Sequence, residues 1–250
     1  MLQVLGRVAW IALTAALATA LTAVPASAGT LEVDVTLAGV TVPSTEPVTG
    51  NSVGNVGSLN LNRPSAFSCQ PDSNGPALWA AGTVRVEDDQ DATGLASLTS
   101  VKFNNPCTFA PNLGRIVVTV LNLPWRFDAV GVTDASGVTE GRLTGVKIKL
   151  DIPSIGCNAI LGGPGAGGLN GYIDGTYTSP AAGSGDTGML ALLHTRTDSN
   201  LRVTQISQRG SCPTSLIQLG DKFVLSGSVE VRGDNATHQE GPVIHAYEVP

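Results

Sequence analysis

The sequence predicts an all-β fold: an antiparallel β-sandwich or partly closed barrel of roughly ten short strands, disulfide-stapled, with no helix after an N-terminal leader. Three observations predict it. Apolar residues alternate with polar ones in short runs, whereas no segment shows a convincing apolar period of 3.6. Gly (30) and Pro (15) punctuate the chain, with turn signals about every 8–12 residues. Cys69, Cys107, Cys157 and Cys212 make an even set.

The first element is the leader, 1–28. Arg7 supplies a positive start, Val8 to Leu21 is apolar, and Ala26-Ser27-Ala28 is a small-residue cleavage site. The apolar run is shorter than the ~18–20 residues that a membrane span needs, and Pro25 interrupts its end. This pattern predicts a secreted protein exported by the general route. No later segment reads as a transmembrane helix. In an exported chain four cysteines form disulfides by default. Three pairings are possible; Cys69–Cys107 and Cys157–Cys212 are favoured, since each closes a segment bounded by strand signals. In the chain-entropy model each bridge contributes roughly 4 kcal/mol. The spacings are far longer than the close Cys-x-x-Cys pairs of a zinc site, so no metal is expected on them.

Beyond the leader, Leu31, Val33, Val35 and Leu37 alternate with Glu32, Asp34 and Thr36, a strand by period. From Pro43 to Pro64 the chain is rich in Pro, Gly, Ser, Thr and Asn. It reads as a linker or long loop, with Ser58 to Leu61 the one candidate strand within it. The expected organisation is therefore a leader (1–28), a strand and linker (29–65), and a β-domain (66–250). In the domain, strands are expected at 79–86, 98–103, 115–121, 157–161, 170–178, 189–194, 201–207, 223–231 and 243–249. The stretch 123–152 organises the middle: two strands around an Asp134-Ala135-Ser136-Gly137 turn. In its second half Val146, Ile148, Leu150 and Ile152 form a dry face opposite Lys147, Lys149 and Asp151.

The formal net charge is −6, and the leader removes one further cation, Arg7. A modest acidic excess argues against nucleic acid as partner. Charged residues are 14%, low against the usual ~25%.

Motifs that carry chemistry are weak. Gly50-Asn51-Ser52-Val53-Gly54 matches a nucleophile elbow, yet Pro43 and Pro47 precede it and no helix pattern follows. Gly163 to Gly168 matches G-x-G-x-x-G but leads into a strand pattern, and reads as a flexible loop. Asp89, Asp91, Thr93 and Gly94 resemble the start of a calcium loop. The closing bidentate Glu is absent, since Ser100 occupies that place, so a solvated acidic turn is the better reading. His194, His238 and His245 have no acid–serine pattern that marks a base. Arg232-Gly233-Asp234 reads as a strand-ending turn, and Asn235-Ala236-Thr237 is formally a glycosylation sequon. Trp125 reads as buried beneath its hairpin rather than as a sugar platform.

Leu123-Pro124-Trp125-Arg126, then Leu143-Thr144-Gly145-Val146, Gly156-Cys157-Asn158-Ala159 and Gly210-Ser211-Cys212, in that order with Cys69 and Cys107 before them, resemble a family of small secreted actinobacterial β-proteins. The resemblance spans about residues 67–231. It implies a shared β-scaffold and brings no activity with it.

The expected function is that of a non-enzymatic exported β-domain acting at the envelope or in the medium through its surface, with no cofactor. Two alternatives stand beside it. A carbohydrate-binding module requires Trp79 or Trp125 exposed on a sheet face. An envelope-spanning barrel oligomer requires an apolar outer band, and Lys147, Lys149 and Asp151 could then line its lumen. A cell-envelope or protein partner remains the open class.

Overall fold

The computed structural model describes residues 30–40, 43–110, 114–192, 199–207, 212–234 and 239–249. The expected leader lies outside them. The first half of the chain forms β1 (Thr30–Thr36), β2 (Ser44–Asn60), β3 (Ala66–Cys69), β4 (Leu78–Asp91), β5 (Ala96–Phe103), β6 (Cys107–Ala110), β7 (Gly114–Val120) and β8 (Trp125–Thr133). The second half forms β9 (Val138–Thr144), β10 (Ile148–Ile152), β11 (Cys157–Gly162), β12 (Tyr172–Thr178), β13 (Gly188–Leu192), β14 (Arg202–Ile206), β15 (Phe223–Gly233) and β16 (Val243–Val249). Helix among the described residues is limited to two 3₁₀ turns, Pro153–Ile155 and Ala166–Gly168. None of it is long and apolar enough to cross a membrane.

The all-β expectation holds; the strand count and the sandwich do not. Among the described residues sixteen strands form one continuous antiparallel sheet, which closes on itself where β2 pairs β4. The closed ring runs β2-β15-β13-β12-β9-β8-β5-β4. Its strands are not all short: β2 has 17 residues, β4 has 14 and β15 has 11. Closure leaves none of these eight strands with an unpaired edge along the ring, the arrangement a barrel uses to remove its edges.

The remaining strands leave this barrel on two sides. β1 pairs the far end of β4 and carries β16 on its other edge. On the opposite side β3, β6, β7, β10, β11 and β14 follow in order from β2. That sheet curls back to the start of β15. Arg202 bridges Lys222, the Val203 amide donates to the Asp221 carbonyl, and the Phe223 amide donates to the Leu201 carbonyl. A second ring of backbone hydrogen bonds is thus closed, sharing β2 and β15 with the first.

β2 is the correction that matters most. The stretch read as linker is the strand on which both rings depend. Ser44 to Asn51 pair β4, Val56 to Leu59 pair β3, and β15 follows the other edge from Val48 to Asn60. At the fork Gly54 takes φ +76°, and the Ser52 hydroxyl accepts the Leu78 amide that opens β4 (2.9 Å). The segment is polar at its buried positions too, where Thr49, Ser52, Ser58 and Asn60 stand, while Val53 and Leu59 are exposed. It is glycine-rich in part because neighbours pass close: a Cβ on Gly57 would lie 3.2 Å from the Phe67 carbonyl.

The 123–152 stretch forms the expected hairpin at Asp134–Gly137. Gly137 takes φ +76°, and the Asp134 carboxylate accepts the Ser136 and Val138 amides (2.8 and 3.0 Å). The second half is not one strand. Gly145, also at φ +76°, breaks it. β9 stays in the first ring and β10 crosses to the second, pairing β7 and β11. Lys147, Lys149 and Asp151 are half-exposed opposite the buried Ile148, Leu150 and Ile152, so they line no lumen.

Both rings are filled. The second buries Ile116, Val118, Leu161, Leu201 and Phe223. The first holds Phe127 and Tyr177 edge to face, with ring centroids 6.1 Å apart. Two aromatics fit there because a Cβ on Gly141 or Gly188 would collide with the Phe127 or the Tyr177 ring. The gap left beside them is about 60 Å³, bounded by Val48, Ala80, Val84, Leu190 and Ile244 among others. Its apolar lining favours a dry void over a water site. Disulfides join Cys69 to Cys107, extending the β3–β6 register, and Cys157 to Cys212, tying β11 to the segment before β15.

Candidate functional site

The motif residues are put to structural use. Ser52 sits mid-strand in β2, 9% exposed, and no helix follows it. Gly163 packs against the Asn170–Gly171 backbone inside a tight loop that ends in the 3₁₀ turn. The acidic turn is partly strand, since β4 continues to Asp91 and pairs β1. There the Asp34 carboxylate accepts the Asp89 amide (2.9 Å), and the Tyr247 hydroxyl donates to Asp34 and to Asp89. That bond to Asp89 holds the Tyr247 phenol well above its ordinary range. No group of three or more His, Cys, Asp or Glu able to hold a metal occurs among the described residues. His194, His238 and the Asn235–Thr237 sequon lie outside them. His245 is exposed on β16, stacked on Tyr247 at 5.7 Å. Arg232 and Gly233 end β15, and the Asp234 amide donates to the Pro47 carbonyl (2.9 Å).

Neither of the two tryptophans among the described residues offers a bare platform. Trp125 is 2% exposed. Trp79 is half-buried, and the Lys102 ammonium stands 5.2 Å from its ring centroid.

The chemistry on offer lies elsewhere, at the waist where the first ring meets the second. An open cleft of about 470 Å³ is formed there by the entry to β8, the β9–β10 break at Gly145 and the loop before β12. Its size falls in the usual range for ligand clefts, roughly 300–1,000 Å³. Strand register builds its floor. Ser97, Arg126, Thr144 and Tyr172 stand opposite one another across β5, β8, β9 and β12. The next row is Asp128, Arg142 and Asp174.

Arg142 is fixed on several sides. Its Nε and Nη2 donate to the two Asp174 oxygens (2.5 and 3.1 Å), and its guanidinium lies 3.9 Å from the Tyr172 ring centroid. The bond to Asp174 raises its already high pKa. Such two-pronged pairing sets the plane of the guanidinium as well as its position. Arg126 is exposed, and its guanidinium has no ion-pair or hydrogen-bond partner among the described residues. Leu123 and Leu169 flank the cleft at 41% and 50% exposure. Asn122 donates to the Gly145 carbonyl (2.9 Å), and Asn170 stands at the far wall.

Sequence reading singled out Leu123-Pro124-Trp125-Arg126 as a structural signature and passed over Arg142, Leu169 and Tyr172. The available signal was two arginines on the polar faces of the two strands of one hairpin. Their meeting with Tyr172 depends on the β9–β12 register, which spacing does not encode. Comparison with protein-family models, with curated proteins and with solved structures gives no match.

Proposed function

We propose that the protein is a secreted, non-enzymatic binding domain that holds its ligand in the waist cleft. The observation that carries this reading is the cleft itself: exposed leucines, a tyrosine, neutral amides and an unpaired guanidinium converge on one concavity. The two disulfides fit an oxidising compartment. Nothing in the cleft pairs a nucleophile with a base, the arrangement covalent catalysis needs. The outward faces of β9, β12 and β15 carry Glu140, Arg142, Asp174 and Glu230, and the first ring's lumen is packed with apolar side chains. A transmembrane barrel has the reverse polarity, so both features favour a binding domain over a pore.

The test is retention of the mature protein on envelope and extracellular polymers from its source. The wild type is expected to be retained, and the Leu123→Asp/Leu169→Asp double variant, folded by thermal melt, is expected to be released. Undiminished retention of the double variant would place binding elsewhere. Hydrolysis of such a polymer, abolished by a single Ser or His substitution, would overturn the non-enzymatic reading.

A further inference from the structure

We infer that the waist cleft takes a carboxylated sugar residue of an acidic glycan, with Arg126 as the group that holds the carboxylate. This rests on the binding reading above and gives it a ligand class. The first observation is charge. In a chain of net charge −6, the cleft is lined by two arginines and by no aspartate or glutamate. Asp128 and Asp174 stand in the neighbouring row, so selection of an anion falls to direct pairing with one guanidinium rather than to a broad positive field.

The second observation is the division of labour between the arginines. Asp174 neutralises Arg142, and Asp128 stands opposite it in register. Asp128 is itself engaged, accepting the Gly94 amide (2.6 Å). Arg126 is left as the cation without a partner among the described residues. A planar guanidinium matches a carboxylate with two parallel N–H···O bonds, which a lysine cannot do.

The third observation concerns what surrounds the charge. Asn122, Thr144 and Asn170 are neutral groups suited to hydroxyls, and Leu123 and Leu169 offer apolar walls for the C–H faces of a ring. A peptide would fit less well. At the cleft β8 and β9 are hydrogen-bonded to a strand on both sides, and the start of β12 is held by β9 on one side and by Ser199 and Asn200 on the other, so no free edge lies there for an added strand. Two exposed leucines also give little apolar area for insertion into a bilayer.

The experiment is calorimetric titration of the mature protein with trigalacturonate, alongside cellotriose, a sulfated trisaccharide and anionic phosphatidylglycerol vesicles. Trigalacturonate is expected to bind and cellotriose to bind at least tenfold more weakly. Arg126→Gln is expected to weaken trigalacturonate at least tenfold, and Arg126→Lys to recover only part of that loss, with thermal melts unchanged in both. Raised salt is expected to weaken binding in the wild type and to act less on Arg126→Gln. Equal binding of the two trisaccharides, or no effect of Arg126→Gln, would overturn the acidic-glycan assignment and leave the binding reading standing. Preference for the sulfated sugar would overturn the carboxylate, and binding of vesicles alone would transfer the site to a lipid surface. Absence of binding by every probe would overturn the inference; the binding reading would fall with it only if the double leucine variant were also retained on polymer like the wild type.

Discussion

Asp221 shows how much one side chain can hold. It is 5% exposed, yet its Oδ2 accepts from Asn60 Nδ2 (3.0 Å), Arg63 Nε (2.7 Å) and the Gln218 amide (2.8 Å). Those bonds fasten the end of β2 to the turn before β15, where the second ring closes. A buried carboxylate is tolerated when a cation and polar donors compensate it, and its removal leaves those partners stranded. Asp221→Ala is therefore expected to cost about 3 kcal/mol in urea unfolding, far beyond the ~0–1 kcal/mol of an exposed ion pair. Tyr177 makes the complementary case for a neutral group. Its hydroxyl donates to the Pro242 carbonyl (2.7 Å), and burial pushes its phenol well above the ordinary value of 10.0. The folded state keeps this proton where the unfolded chain loses it. Stability from this group is complete below about pH 10 and falls as pH rises further. Unfolding free energies between pH 9 and 11.5 should decline in the wild type and more gently in Tyr177→Phe. Tyr247, shifted the same way by Asp89, leaves a residual slope.

Strands were legible wherever one face is wet and the other dry. Val33 and Val35 in β1, and Ile148, Leu150 and Ile152 in β10, alternate cleanly because each strand has a single core to face. β2 was illegible because small polar residues and glycines replace the apolar beat: Gly50, Ser52, Ser58 and Asn60 occupy buried positions, and the beat is interrupted by the exposed Val53 to Asn55. β3 and β6 escaped notice for another reason. Each has four residues, too few to establish a period, although the cysteine that ends one and the cysteine that opens the other were read correctly as a pair. The break between β9 and β10 is marked by a change of phase, from Thr139, Gly141 and Leu143 buried to Val146, Ile148 and Leu150 buried, with Gly145 between them. At Gly145 an added Cβ would meet the left-handed backbone penalty and the Pro124 carbonyl at 3.1 Å. Gly145→Ala is thus expected to cost about 1–2 kcal/mol and to loosen the cleft beside it. A thermal melt with no shift would show that the β9–β10 corner is not under this constraint.

At the scale of the whole molecule, two closed rings share two strands, and the ligand cleft lies on the seam between them. The candidate site was largely invisible in the sequence for that reason. Leu123 and Arg126 come from the β8 entry, Arg142 from β9, Leu169 and Tyr172 from the approach to β12, and nothing in their spacing announces a common cleft. The cysteines were the exception, because even number and export chemistry constrain them without reference to the fold. Both rings depend on β2 being a strand along its whole length, anchored by β15 on one edge and by β4 then β3 on the other. Native-state hydrogen exchange across residues 48–60 tests this most directly. The fused-ring architecture predicts amide protection there as strong as in the centre of β15; exchange as fast as in an open, glycine-rich linker would contradict it.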